Sequence, residues 1–293
     1  MATTTQWVEA ARPRTLPAAV APVLAGTGVA VHADGFVWWK ATLALVVALA
    51  LQVAVNYAND YSDGVRGTDA NRVGPLRLVG SGTATPLQVR SAALASFGVA
   101  GVAGLVLVAT TTWWLLLFGA AAIIAAWYYT GGSKPYGYHA LGEVFVFVFF
   151  GLVAVAGTAY VQTEQLSDGA VSAGCGVGAL ACAILVANNL RDIPTDELVG
   201  KRTLAVVLGD RRSRDAYLAL HIAAYGCAAL VAVTVTWWAL LASVALPLSV
   251  RAQSVVRRGA TGPALVVVLR DTGLTELVYA AGLFAGLVIA APR

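Results

Sequence analysis

Long apolar runs separated by short polar breaks set the pattern of the chain. A membrane-crossing helix needs roughly 20 mostly apolar residues. Runs of this kind recur at 15–32, 36–57, 91–110, 113–129, 141–161, 170–190, 215–234, 237–250 and 274–291. The stretch from Ala216 to Val250 is interrupted only by His221 and is too long for one crossing, so a tight turn is expected near Thr234–Trp238. Gly, Ala and Leu dominate the runs and strand-like alternation is absent, which selects helices over a barrel. The pattern predicts an all-α polytopic membrane protein of about nine transmembrane helices, a single domain over residues 1–293.

Composition agrees. Apolar residues make up 59% of the 293 and charged residues 12%, against roughly 25% charged in soluble domains, and mean hydropathy is +0.76. Disorder, a coiled coil and a disulfide scaffold are thereby excluded, and the missing charge argues against a soluble two-domain enzyme. Cys175, Cys182 and Cys227 lie inside apolar runs without metal-ligand spacing and read as packing residues. The formal charge of +4 does not point to nucleic acid, because the basic residues sit between apolar runs. With the N-terminus inside, every one of the 19 Lys and Arg except Lys40 and Arg293 falls on the cytoplasmic side. Met1–Glu9 lacks the basic region of a cleavable signal. The expected location is therefore the cell membrane, with the N-terminus and two long inner loops, 58–90 and 191–214, facing the cytoplasm. Trp38/Trp39, Trp113/Trp114 and Trp237/Trp238 then form an outer interface belt, and Arg211, Arg212, Arg214, Arg251, Arg257 and Arg258 face lipid headgroups. His32, His139 and His221 are scattered and show no chemical pattern.

The inner loops carry the chemistry. The second run leads into Asn56, Asn59, Asp60, Asp63, Arg66 and Asp69; the sixth leads into Asn188, Asn189, Arg191, Asp192, Asp196, Lys201 and Arg202. Asn56 matches Asn188 and Asp60 matches Asp192, four residues on in each, which suggests a weak internal repeat of spans one to four and five to eight. Helical spacing puts Asn56, Asn59/Asp60 and Asp63 on one face, and Asp192 and Asp196 on one face, although Pro194 leaves the second geometry open. Carboxylates clustered at a membrane edge repel one another unless a cation sits among them. Hard oxygen ligands in small number suit Mg²⁺, which completes its shell with water and phosphate oxygens. Arg66, Arg72, Arg77, Lys134, Arg191, Lys201 and Arg202 nearby would hold the remaining phosphate charge. Two acid clusters, metal and basic residues together describe a diphosphate site.

Asn59–Asp63, an N-D-x-x-D, together with Asp192–Asp196, a D-x-x-x-D, resembles the motif pair of the UbiA-type intramembrane prenyltransferases. Arg12-Pro-Arg14-Thr-Leu-Pro17, Ala21-Pro22-Val-Leu-Ala-Gly26-Thr27, Gly67-Thr-Asp69, Arg72-Val-Gly-Pro75 and Gly200-Lys-Arg-Thr-Leu-Ala205 resemble the menaquinone-pathway branch, and the likeness spans essentially the whole chain. Many members carry a further Asp four residues after the place matched by Asp63; here that place is Gly67, with Asp69 two residues on. The resemblance implies a helical bundle around a lipid-accessible cavity. It also implies Mg²⁺ as cofactor, a polyprenyl diphosphate donor, 1,4-dihydroxy-2-naphthoate as acceptor and membrane lipids as surroundings. Asn59, Asp63, Asp192 and Asp196 map onto metal positions, with Asp60 beside them; Asp60, Asp63, Asp192 and Asp196 then also count as catalytic. Arg14, Arg72, Arg77 and Lys134 are the implied diphosphate contacts. Tyr128 and Tyr136, with Tyr129 and Tyr138, flank the loop where the family places tyrosines near the reacting carbon. Lys201 and Arg202 are the candidates for the acceptor carboxylate.

Two other readings compete. A sibling enzyme would use another acceptor, such as 4-hydroxybenzoate. A membrane carrier would also show repeats and intramembrane carboxylates, but carriers keep them near the bilayer midplane, whereas here they stand at the inner ends of the runs.

Overall fold

The computed structural model of the protein describes residues 2–67 and 76–292. It is all-helical, and among the described residues the sole β-type pairing is a bridge between His139 and Arg202. In chain order the α-helices are α1 (Thr4–Ala10), α2 (Pro17–His32), α3 (Trp38–Arg66), α4 (Pro86–Ala109), α5 (Leu115–Tyr128), α6 (Gly142–Val146), α7 (Ala154–Thr163), α8 (Asp168–Leu198), α9 (Leu204–Thr234), α10 (Leu246–Arg257) and α11 (Pro263–Ile289). A π-helical turn over Phe147–Val153 joins α6 to α7, and a 3₁₀ segment over Trp237–Ala245 leads into α10.

All nine apolar runs become helix, but not all are long enough to cross alone. Among the described residues, seven helices have the length and apolarity for a crossing: α3, α4, Gly142–Thr163, α8, α9, Trp237–Arg257 and α11. An eighth is completed only if Thr4–Thr15 and Pro17–His32 count as one span bent by 49°, and Leu115–Tyr128 is a shorter apolar helix of 14 residues. The expected count of about nine is thus seven or eight full-length spans plus one short helix. The difference lies in helix length, to which the apolar pattern is blind once a run is nearly long enough.

The two inner loops also come out shorter than the hydropathy pattern suggests. α3 continues well past its apolar run and ends at Arg66, where Gly67 closes it with φ of +72°. That left-handed position is one that Gly takes without cost, so Gly67 serves as the cap of α3. Asp69 and Arg72 lie outside the described residues. α8 likewise runs on to Leu198 with Pro194 inside it, and α9 begins at Leu204 with a break at Gly209 (φ 75°, ψ 170°). Most of 191–214 is therefore helix. Arg214 is no free headgroup residue: it donates to Asp210 and to the carbonyls of Val256 and Ala260, tying α9 to the end of α10.

Small residues let the helices meet closely. α8 is the most enclosed span and packs on α9, α11 and the π-helical turn. A Cβ on Gly151 would stand 2.6 Å from the Cα of Gly178, and one on Gly286 would stand 2.1 Å from the Trp238 carbonyl. The core is correspondingly rich in Ala: Ala21, Ala25, Ala173, Ala224, Ala242 and Ala280 are all buried with Leu180 and Leu283. At the Trp end of the bundle, buried Lys40 donates to the Thr110 carbonyl (3.1 Å) and to Thr111 Oγ1 (3.1 Å), and stands 4.0 Å from Glu164. That lysine staples three helix ends together. At the opposite end both acid motifs face the same space.

Candidate active site

A cavity of ≈ 1510 Å³ runs from the acid motifs into the bundle. It exceeds the roughly 300–1,000 Å³ of a pocket for one drug-sized ligand, so it has room for more than an aromatic ring. Its inner end is polar, with Asn59, Asp63, Arg77, Arg191, Asp192, Asp196 and Lys201 in the lining. Deeper, Val47, Ala48, Ile123, Phe149, Phe150 and Val153 give it apolar walls. Leu105, Leu116 and Phe118 are both lining and exposed, so the cavity opens sideways along α4 and α5.

The last two turns of α3 organise the polar end, because residues three and four apart share a helix face. Asp63 is buried and accepts a hydrogen bond from the Tyr138 hydroxyl at 2.8 Å. Arg77 Nη2 stands 3.5 Å from one of its oxygens and Lys201 Nζ 3.6 Å from the other. Lys201 also lies over the Tyr138 ring, 4.6 Å from its centre, with Arg66 5.6 Å away. Asn59 Oδ1 accepts from Thr130 Oγ1 at 2.7 Å, and Arg66 donates to the carbonyls of Thr130 and Gly132. From α8, Asp192 accepts two bonds from the guanidinium of Arg191 (2.7 and 2.8 Å), which also reaches Asn188 Oδ1 at 2.9 Å. The Arg202 backbone amide donates to the Tyr138 carbonyl at 3.1 Å, so the loops after α5 and α8 are stitched together above the cavity. The Arg202 side chain itself is exposed.

An aromatic ladder leads from this polar end toward the apolar walls. Tyr129 and Tyr136 meet edge to face (5.5 Å between centres), Tyr136 stacks on Phe145 at 3.9 Å, and Phe145 stacks on Phe149 at 6.1 Å. The π-helical turn brings Phe149, Phe150 and Val153 onto the cavity wall, a use typical of such turns. Tyr136 donates to the Ala125 carbonyl, and burial pushes its phenol up, so it stays neutral.

The residues singled out in the sequence divide accordingly. Asn59, Asp63, Asp192, Asp196, Arg14, Arg77, Tyr136 and Lys201 share one cavity. Asp60, Tyr128, Lys134 and Arg202 do not line it: Asp60 is buried behind it, and Tyr128, Lys134 and Arg202 are exposed. Thr130, which nothing in the sequence singled out, bonds Asn59, while Tyr138 and Arg191, expected near the reacting carbon and the phosphates, instead bond Asp63 and Asp192. A tyrosine in the loop after α5 was one signal for Tyr138; nothing local marks Thr130. Asn56, matched in the sequence to Asn188, instead holds the N-terminal segment, donating to the Ala11 carbonyl (2.9 Å) and Thr15 Oγ1 (3.0 Å).

As a metal site, the donor set is one amide oxygen and three carboxylates, all hard and all buried. Among the described residues no three His, Cys, Asp or Glu side chains converge tightly enough to enclose an ion. Hard oxygen donors of this kind suit Mg²⁺, an ion usually held by a few carboxylates together with phosphate oxygens and water.

The sequence pattern of the UbiA prenyltransferase family matches residues 19–289. The 1,4-dihydroxy-2-naphthoate octaprenyltransferase of Mycobacterium tuberculosis is 54% identical over 280 residues, 96% of each chain. The enzyme of the same name from Escherichia coli is 36% identical, again over 96% of each. Among solved structures, a UbiA homolog from Aeropyrum pernix superposes with a TM-score of 0.72 at 16% identity, covering 92% of this chain and 97% of its own. A UbiA homolog from Archaeoglobus fulgidus bound to GPP and Mg²⁺ gives 0.69 at 14% identity, covering 96% and 99%.

Proposed function

The chain belongs to the UbiA prenyltransferase family, and we propose that it transfers a polyprenyl group from polyprenyl diphosphate to 1,4-dihydroxy-2-naphthoate, releasing diphosphate and CO₂ and forming demethylmenaquinol. The observation that carries the reading is one cavity with an acid-and-cation end and an apolar remainder that opens through the side of the bundle. Near-full-length relatives named for this acceptor support the choice of ring.

Each part of the reaction falls to particular side chains. Arg77 and Lys201, both within 3.6 Å of Asp63, are placed to bind the diphosphate and hold charge that grows as it leaves. Asn59, Asp63, Asp192 and Asp196 would hold Mg²⁺, which when bound neutralises diphosphate charge and assists its departure. The allylic C–O bond breaks and its electron pair leaves with the diphosphate. Phe145, Phe149 and Tyr136 keep water from the resulting cation and offer it ring faces. The carboxylated ring carbon then supplies the electron pair of the new C–C bond. Loss of the carboxylate as CO₂ returns its bonding pair to the ring and restores aromaticity. The clustering of Lys and Arg in these loops supports a cytoplasmic setting for this end of the cavity.

The test is turnover by purified protein given Mg²⁺, a polyprenyl diphosphate and a panel of aromatic acids. Prenylated, decarboxylated product from 1,4-dihydroxy-2-naphthoate is the expected result. Turnover of 4-hydroxybenzoate alone would replace the acceptor and leave the chemistry standing.

A further inference from the structure

Asp60 belongs to the acid motif by sequence, yet its carboxylate is used elsewhere. It is 1% exposed and lies outside the cavity lining. Oδ2 accepts from the backbone amide of Leu78 at 2.7 Å and Oδ1 from that of Val79 at 3.0 Å. Consecutive amides on one carboxylate fix a peptide segment in both position and orientation, and charged acceptors make such bonds strong.

The segment so held, residues 76–84, is a strap across the inner end of α3. Leu78 is fully buried among Ala54, Tyr57, Ala58 and Val89. Val79 rests on Gly64, where a Cβ would come within 2.5 Å of the valine side chain. Ser81 donates to the Arg77 carbonyl at 2.6 Å, and Ala84 N donates to the Leu78 carbonyl at 3.1 Å, so the strap is also turned on itself. The residue before the anchored pair is Arg77, whose side chain enters the cavity and stands 3.5 Å from Asp63. Asp60 and Asp63 thus sit one helical turn apart with different tasks: one faces the cavity, the other fixes the backbone that delivers a cation to it.

We propose that Asp60 is a positioning residue that acts through Arg77, setting the affinity for the prenyl diphosphate rather than holding the metal. The proposal rests on the reading of the cavity as a diphosphate site. Asp60→Asn keeps size but turns one amide N–H against another, which loosens the strap without emptying the site.

The experiment measures binding and turnover for Asp60→Asn, Arg77→Ala and the double variant, with geranyl diphosphate as the binding probe and Mg²⁺ titrated separately. Asp60→Asn is expected to raise Kd and KM for the prenyl diphosphate about tenfold, the scale of losing a hydrogen bond to a charged group. The half-saturating Mg²⁺ at saturating diphosphate should be unchanged. The double variant should bind no worse than Arg77→Ala, because residues acting through one another are not additive. A raised Mg²⁺ requirement, additive losses, or lower thermal stability with unchanged Kd would each overturn the proposal. If the unsubstituted protein does not bind geranyl diphosphate at all, the diphosphate-site reading fails; if it does and Asp60→Asn binds equally well, only the positioning role falls.

Discussion

Asp63 and Asp192 carry the sharpest residue-scale expectations. Each is buried, lines the cavity and already faces a cation, so replacement by Asn removes charge while keeping shape. Turnover should fall by at least ~10²-fold in either variant, the scale of losing a major electrostatic contact in the transition state, with the fold retained. Near-normal turnover at limiting Mg²⁺ would remove that residue from the metal set. Lys201 and Arg202, equivalent candidates in the sequence, separate in the structure: the first lines the cavity over Tyr138, the second is exposed and contributes its backbone. Lys201→Ala should raise KM for a substrate anion severalfold or more, whereas Arg202→Ala should stay within about twofold, as solvent-exposed charges contribute little. Steady-state kinetics with each substrate varied decides this, and equal losses would count against the difference. The acid residues were legible because carboxylates are rare in such a chain and stand at the ends of apolar runs. The division of labour between Asp60 and Asp63 was not, because it depends on a strap 18 residues further along the chain.

At the scale of elements, hydropathy located the apolar helices but not their ends. α3 and α8 extend well beyond their apolar runs because cavity-facing polar residues are hydrogen-bonded inside the bundle and need no lipid contact. The π-helical turn at Phe147–Val153 left no mark in the sequence pattern, since its residues are as apolar as their neighbours. Its place is fixed by packing: Gly151 lies against Gly174 and Gly178 of α8. Gly151→Ala puts a methyl where 2.6–2.7 Å is available, an overpacking cost of about 1–3 kcal/mol. A lowered unfolding midpoint in detergent is the expected measurement, together with slower prenyl transfer as Phe149 and Phe150 shift. A variant with the parental midpoint would show that the contact relaxes freely.

For the whole molecule, the orientation proposed from the lysine and arginine distribution, with the acid end toward the cytoplasm, is open to direct test. Cysteines introduced at Ser81 and at Leu198, both exposed, in a background free of Cys175, Cys182 and Cys227, should both escape an impermeant thiol reagent added to intact cells. Labelling of either from outside would reverse the orientation. The sideways opening past Leu105, Leu116 and Phe118 has a different kind of consequence. A donor that enters from the bilayer is sensed as a mole fraction among lipids, not as molecules per litre of water. In vesicles of fixed protein and fixed total polyprenyl diphosphate, with acceptor and Mg²⁺ held at constant aqueous concentration, adding inert phospholipid should therefore slow the reaction, while halving the aqueous volume should leave it unchanged.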